Sequence, residues 1–257
     1  MPFAEIDGIR TRYDVVGDGP PILMYAPGGF NARLEQWTDL GIYKRIGPAE
    51  GKLAKQLTET LNNATHPTDH RVQFYLKAVE EMGIPTGKPE FFNPVQLEVS
   101  QQEDSLLLVP DSDFGPSHEW SRQRWQQLAD KLVESHALTI GQIEGGRNLG
   151  AELAHQLGDA VPTGIINLRE PQMDMIASHA RVIAADGSLP HIASHLGSTC
   201  ITLFGPNDAA WKRPLGKRHQ VLRRHVECAP CFSFRCPLDK RCQKELEVAQ
   251  VMEALSC

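Results

Sequence analysis

From Ser105 onward the chain alternates short apolar runs with amphipathic stretches, and that alternation leaves few folds open. Residues 105–110, 137–140, 181–185 and 200–204 are strand-length apolar runs bounded by turn residues. Between them 121–134, 149–157, 172–178 and 190–196 carry helical spacing, and 245–255 closes as a helix. Apolar strands of this length need cover on both faces, so the pattern predicts an α/β fold with a parallel sheet between helices. In such a sheet ligands bind beyond the carboxyl ends of the strands.

The preceding hundred residues read differently. Residues 5–13 and 21–25 are strand-like, joined by Gly17-Asp18-Gly19-Pro20-Pro21, and Ala26-Pro27-Gly28-Gly29-Phe30 follows as a flexible loop. Residues 51–83 read as helical: Leu53, Leu57 and Leu61 recur every four residues, and Val72, Tyr75, Leu76, Val79 and Met82 repeat that face after a break at 62–67. Pro85, Pro89 and Pro94 mark 84–104 as a linker. The expected organisation is an N-terminal segment over 1–50, a helical piece with its linker over 51–104, and the α/β domain over 105–257.

Charge and hydropathy exclude several classes. With 26 basic and 32 acidic residues the net charge is −6, which speaks against a nucleic-acid partner. The apolar runs are far short of the roughly 20 residues a membrane span needs, so no transmembrane segment is expected. The start Met-Pro-Phe-Ala-Glu lacks the basic and apolar regions of an export signal, which predicts a cytoplasmic chain.

Three loops follow strands and are candidate sites: 111–120, Asp186-Gly187-Ser188-Leu189-Pro190-His191, and Gly205-Pro206-Asn207-Asp208. At Gly187 and Ser188 small side chains let backbone N–H groups approach a phosphate at a helix start, with His191 in the first turn. The same residue types also serve as an ordinary helix start. Lys212 with Arg213, Lys217-Arg218-His219 and Arg223-Arg224-His225 are basic groups suited to an anion or to a solvated face.

The run Ile183-Ala184-Ala185-Asp186-Gly187-Ser188-Leu189-Pro190-His191-Ile192-Ala193-Ser194-His195-Leu196-Gly197, with Ile201-Thr202-Leu203-Phe204-Gly205-Pro206 after it, resembles glycosyltransferase family 9, the heptosyltransferases of lipopolysaccharide core assembly. The loop 111–120 with Arg124-Trp125-Gln126-Gln127-Leu128-Ala129 resembles the first donor-domain loop and helix of that family. Cys228, Cys231, Cys236-Pro237-Leu238 and Cys242 resemble a cysteine pattern of its heptosyltransferase II-like members. The resemblance covers about 105–255, with a weaker match back to about residue 55.

It implies a GT-B architecture of two Rossmann-like domains, the second binding a nucleotide-sugar donor, typically ADP-heptose. It implies inverting transfer without a required metal, to an anionic lipid-linked glycan acceptor, by a cytoplasmic protein that can sit peripherally at the inner membrane face. Asp186, Gly187, Ser188 and His191 would cradle the diphosphate or sugar, Glu144 would hold the ribose hydroxyls, and Ser112 and His118 would complete the donor site. The chain departs from the pattern: His118-Glu119 stands where the family carries a lysine, Glu119 adding a negative charge. Asp186-Gly187-Ser188 stands for the usual Asp-Ser/Thr-Gly order. The family's opening block with its catalytic aspartate is not found, so no base is assigned; Asp14, Asp18 and Glu35 are the carboxylates at hand. Residues 6–30 instead resemble the first strands of an α/β-hydrolase, although the chain has no Gly-x-Ser-x-Gly elbow. The fold expected is therefore GT-B-like, with a Rossmann-like C-terminal donor domain and a truncated or foreign N-terminal segment.

Six cysteines are present, four of them as Cys228, Cys231, Cys236 and Cys242 in one short stretch. In a cytoplasmic chain such a cluster reads as a four-thiolate zinc site, as reduced structural thiols, or as a redox group. Four functions are thus on the table: a heptosyltransferase, a nucleotide-sugar binding module without catalysis, a hydrolase-like esterase, and a zinc-organised interaction protein.

Overall fold

The structure is a computed structural model. It describes residues 69–89 and 100–256, apart from 160 and 169–172, together with 3–6, 9–12, 46–48, 55, 57 and 59–61. The chain divides into two compact units, Met1–Asn63 and Ala64–Cys257.

In the first unit β1 (Phe3–Ile6) and β2 (Ile9–Arg12) pair antiparallel, with Phe3 opposite Arg12 and Ile6 opposite Ile9. The single strand expected over 5–13 is therefore two, either side of Asp7-Gly8, a dipeptide that favours tight reversal. β3 (Ile46–Pro48) and β4 (Glu59–Leu61) pair in parallel. This corrects the helical expectation at 59–61; 51–54, 56 and 58 lie outside the described residues. Thr58-Glu59-Thr60-Leu61 is β-favouring in composition, and the leucine spacing alone does not overrule that. The strand expected at 21–25, the loop 26–30 and Asp14, Asp18 and Glu35 lie outside the described residues.

The second unit opens with α1 (Arg71–Glu81), whose N-cap His70 accepts the Val72 N–H through Nδ1 at 3.2 Å. Of the long helix expected over 51–83, this part is helical. His70 Nε2 donates to the Arg213 carbonyl at 2.7 Å, and the Arg71 guanidinium lies 4.9 Å from the Trp211 ring centroid. The helix start is thereby held on the second unit.

A six-stranded parallel sheet follows: β5 (Gln102–Val109), β6 (Ala137–Ile143), β7 (Thr163–Ile166), β8 (His179–Ala185), β9 (Thr199–Phe204) and β10 (Gln220–Arg223). Its order is β10-β9-β8-β5-β6-β7, so these six strands run 3-2-1-4-5-6 from the β7 edge, the Rossmann order. Successive side chains on a strand point to opposite faces, and β5 shows the result. Leu106 and Leu108 join one buried cluster with Trp120, Trp125, Leu128 and Leu153; Leu107 and Val109 join another with Ile166, Ile176, Val182 and Leu189.

The first cluster lies under α2 (Arg122–Leu132), α3 (Leu149–Leu157) and α8 (Val248–Ser256), the second under α4 (Met173–Ala177) and α5 (Leu189–His195). Ser121 caps α2 by accepting the Arg124 N–H at 3.3 Å. Two one-turn helices, α6 (Ala209–Lys212) and α7 (Arg241–Lys244), complete the unit. The α/β fold with a parallel sheet is as expected. β7 and β10 were not, because edge strands of four residues with Gly164 in one and Gln220 and Arg223 in the other carry little hydrophobic signal. Among the described residues no helix is long and apolar enough to cross a membrane. The basic run 217–219 is not one exposed face: His219 is buried and its Nδ1 accepts the Cys200 N–H at 3.2 Å.

Candidate functional site

The strand order reverses between β5 and β8, and the loops leaving their carboxyl ends meet there. Ser112 Oγ donates to the Asp186 carbonyl at 2.6 Å. Asp113 receives Ser188 twice, N–H to Oδ1 at 2.8 Å and Oγ–H to Oδ2 at 2.6 Å. A Cβ on Gly187 would stand 2.6 Å from Asp113 Oδ1, so a side chain there would push this carboxylate aside. The helix-start donors at 188 are thus engaged by an exposed carboxylate that lies at the edge of a cleft.

Behind them lies a buried polar cluster. Asp186 is 1% exposed; its Oδ2 accepts Asn207 Nδ2 at 2.7 Å and stands 3.1 Å from His118 Nδ1. Its Oδ1 is buried and has no hydrogen-bond partner among the described residues. The third loop therefore contributes through Asn207. His191 lies within electrostatic range of Asp186 and Asp113, and burial holds its imidazole below the ordinary histidine range despite them. Lys212 stands over the Phe114 ring at 4.7 Å from the centroid.

Glu119 does not add its charge to a ligand surface. It is 1% exposed, turned inward to accept the Ser112 N–H at 3.3 Å and the Arg147 guanidinium at 2.9 Å. Burial raises its pKa despite both partners. Asp111, also raised by burial, accepts the Leu149 and Gly150 N–H groups at 3.1 and 3.0 Å and so fixes the start of α3. Together these carboxylates tie the end of β5 to the turn after β6.

The cleft itself, roughly 970 Å³, opens beyond β5, β6 and β7 and is lined by Ser112, Asp113, Gly115, Glu144, Gly146, Arg147 and Asn167, with Phe234 and Arg235 from the cysteine-bearing strap. Its size suits a nucleotide. Of the residues expected from sequence, Ser112 and Glu144 lie on the cleft. Asp186, Gly187, Ser188 and His118 lie at or behind its β5–β8 side, joined to it through Ser112 and Asp113.

Arg147, Arg235, Phe234 and Asp113 were not singled out by sequence. Gly145-Gly146-Arg147-Asn148 did hold a signal, since two glycines and an asparagine after a strand mark a tight turn. Gly145 and Asn148 indeed have φ of +73° and +64°. Arg235 had none, because nothing local indicates where its strap folds.

The strap is held at close quarters. Cys231 and Phe232 N–H groups both reach the Pro206 carbonyl at 2.9 Å, and Ser117 N–H donates to the Phe234 carbonyl at 3.3 Å. Gly115 has φ +107°, and a Cβ there would stand 2.4 Å from the Phe234 ring. Gly115→Ala is expected to lower stability by at least about 1 kcal/mol through its backbone alone and to displace Phe234; urea unfolding measures the first and a crystal structure of the variant the second.

Cys228 and Cys231 are exposed, Cys236 partly so, and Cys200 and Cys242 buried, all with free thiols. Among the described residues no three His, Cys, Asp or Glu side chains stand at metal-holding distance.

A parallel sheet in Rossmann order with a polar cleft beyond the carboxyl ends of β5, β6 and β7 makes a Rossmann-like domain of the GT-B type. A family model for glycosyltransferase family 9 (heptosyltransferase) matches residues 54–241, and the chain belongs to that family. Lipopolysaccharide heptosyltransferase 2 of Escherichia coli (strain K12) is 25% identical over 134 residues, 50% of this chain and 38% of that protein. The solved E. coli ADP-heptose LPS heptosyltransferase II superposes with a TM-score of 0.64 at 17% identity, covering 86% of this chain and 71% of that one. E. coli heptosyltransferase WaaC with ADP-2-deoxy-2-fluoro heptose gives 0.53 at 16%, covering 79% and 60%. The match to the curated relative thus spans well under half of its length.

Proposed function

We propose that the cleft is the donor site of a heptosyltransferase, taking ADP-heptose and passing the heptose to a lipopolysaccharide core acceptor at the cytoplasmic face of the inner membrane. The observation that carries this reading is the presence of Glu144 and two arginines, Arg147 and Arg235, around one cleft beyond β5, β6 and β7. A carboxylate accepts from two neutral ribose hydroxyls, and guanidinium groups match phosphate oxygens. The unpartnered Asp186 Oδ1 supplies a buried acceptor for a sugar hydroxyl. Asp113 would yield Ser188 to the diphosphate as the donor enters.

Transfer would proceed by in-line displacement. The acceptor oxygen forms a bond to the anomeric carbon as the bond to the diphosphate breaks, and a carboxylate base takes the acceptor proton. Arg147, Arg235 and the Ser188 N–H would stabilise the departing diphosphate. Neither metal nor cofactor is required in this scheme.

Calorimetric titration with ADP and ADP-heptose tests the reading. Binding to both is expected, with Glu144→Ala weakening ADP at least about tenfold, through loss of its hydrogen bonds to the two ribose hydroxyls. Binding without transfer to a heptose-deficient core acceptor would identify a nucleotide-sugar binding module. No heat at millimolar ADP would sink both versions.

A further inference from the structure

The loop that leaves β5 is electrostatically unsuited, by itself, to an anionic ligand. Residues 111–119 carry three carboxylates, Asp111, Asp113 and Glu119, and no lysine or arginine. A diphosphate lying against this loop would meet like charge unless cations reach it from elsewhere. Arg147 supplies one through its 2.9 Å bond to Glu119, but its side chain is 58% exposed, where solvent weakens its field.

A second cation comes from the start of α7. Lys240 is half-buried, and its Nζ donates to the Pro116 carbonyl at 2.6 Å and to the Glu119 carbonyl at 3.1 Å. Three residues on, the buried Gln243 donates through Nε2 to the His118 carbonyl at 2.9 Å. One turn of helix thus holds the loop by its carbonyls at 116, 118 and 119, and Pro116 is part of the cleft wall. The Lys240 backbone has φ +56° and ψ +32°, in the left-handed region. Glycine or asparagine would adopt that conformation more easily, so a lysine there points to a task for its side chain.

Building on the donor reading of the cleft, we propose that Lys240 is a positioning residue of the donor site. Its ammonium, fixed against the carbonyls of the first loop, offsets the loop's carboxylates and lets the diphosphate settle there. Two of its three N–H groups are engaged on carbonyls, which holds it where an exposed lysine would swing free. Burial lowers its pKa, and the neighbouring Glu119 favours the charged form. Lys240 acts through its field and through the loop, without contact to the ligand.

Two substitutions separate charge from scaffolding. Lys240→Gln keeps an N–H donor for a carbonyl and removes the charge; Lys240→Arg keeps both. In calorimetric titrations of the whole chain at low salt, Lys240→Arg is expected to bind ADP within about threefold of the wild type. Lys240→Gln is expected to bind it about tenfold more weakly, the scale of one partly screened charge. Adenosine lacks the diphosphate and is expected to bind all three proteins within about twofold of one another. Lys240→Asn suits the left-handed backbone but is too short to span to the carbonyls, and serves in place of Lys240→Gln if that variant does not fold. Unchanged ADP affinity in the uncharged variant overturns the inference alone. Equal losses for ADP and adenosine also overturn it, since a scaffolding role moves both together. A wild-type chain that takes up no ADP overturns the donor reading and this inference with it.

Discussion

Trp120→Ala is expected to lower the stability of the second unit by about 3–5 kcal/mol, the range for deleting a large buried aromatic side chain. Trp120 is 1% exposed at the end of the loop that leaves β5, and its ring meets Trp125 edge to face at 5.5 Å. Its indole N–H donates to the Leu246 carbonyl at 2.9 Å, so it also joins that loop to the segment before α8. Trp120→Phe keeps most of the packing and leaves the Leu246 carbonyl unpaired, which costs about 1–3 kcal/mol. Urea unfolding followed by far-UV circular dichroism separates the two variants. A loss under 1 kcal/mol for the alanine variant would contradict the packing described for this loop, and with it the rigidity of the Ser112 to Glu119 side of the cleft.

The second large effect is on acid stability. Burial, with the charges of Arg218 and Arg213 adding to it, depresses the His219 pKa from 6.5 to about 4. The folded state therefore favours neutral imidazole, consistent with Nδ1 accepting the Cys200 N–H. A depressed histidine contributes stability that is fully present above pH 6.5 and is lost as pH falls toward 4. Over that window the loss amounts to about 3 kcal/mol. His179 and His191 are lowered by burial too and act with the same sign. His219→Gln keeps an acceptor for the Cys200 N–H and does not titrate, so it is expected to flatten the wild-type slope between pH 6.5 and 4. Parallel curves for the two proteins in urea titrations across that range would contradict this assignment.

The sheet was readable because its interior strands carry the signal physics demands of them. Leu106, Leu107, Leu108 and Val109 are all fully buried, as a short apolar run bounded by turn residues must be when it forms a strand covered on both faces. Loops 111–120 and 186–191 were readable as partners for a related reason: in a parallel sheet, strand ends converge at one rim. What sequence could not show is which way the charged residues turn. Glu119 and Arg147 are 28 positions apart, and only the fold shows that one neutralises the other, leaving the Glu119 charge directed away from the ligand side. Asp113 likewise gave no sign that it would hold Ser188, 75 residues on. Arg235 reaches the cleft by way of a strap whose course follows from Pro206, Ser117 and Gly115 rather than from any local pattern. Leu53, Leu57 and Leu61 mislead in the other direction, since a four-residue repeat of leucines was outweighed by the β-favouring threonines around Glu59.

The central claim is that the cleft beyond β5, β6 and β7 holds the nucleoside diphosphate end of a sugar donor. The most direct measurement is a crystal structure of the chain soaked with ADP. The account predicts ribose hydroxyls on Glu144, diphosphate oxygens near Arg147 and Ser188, and the Asp113 carboxylate withdrawn from Ser188. Nucleotide bound elsewhere on the second unit, with Asp113 still on Ser188 and the cleft empty, would contradict it.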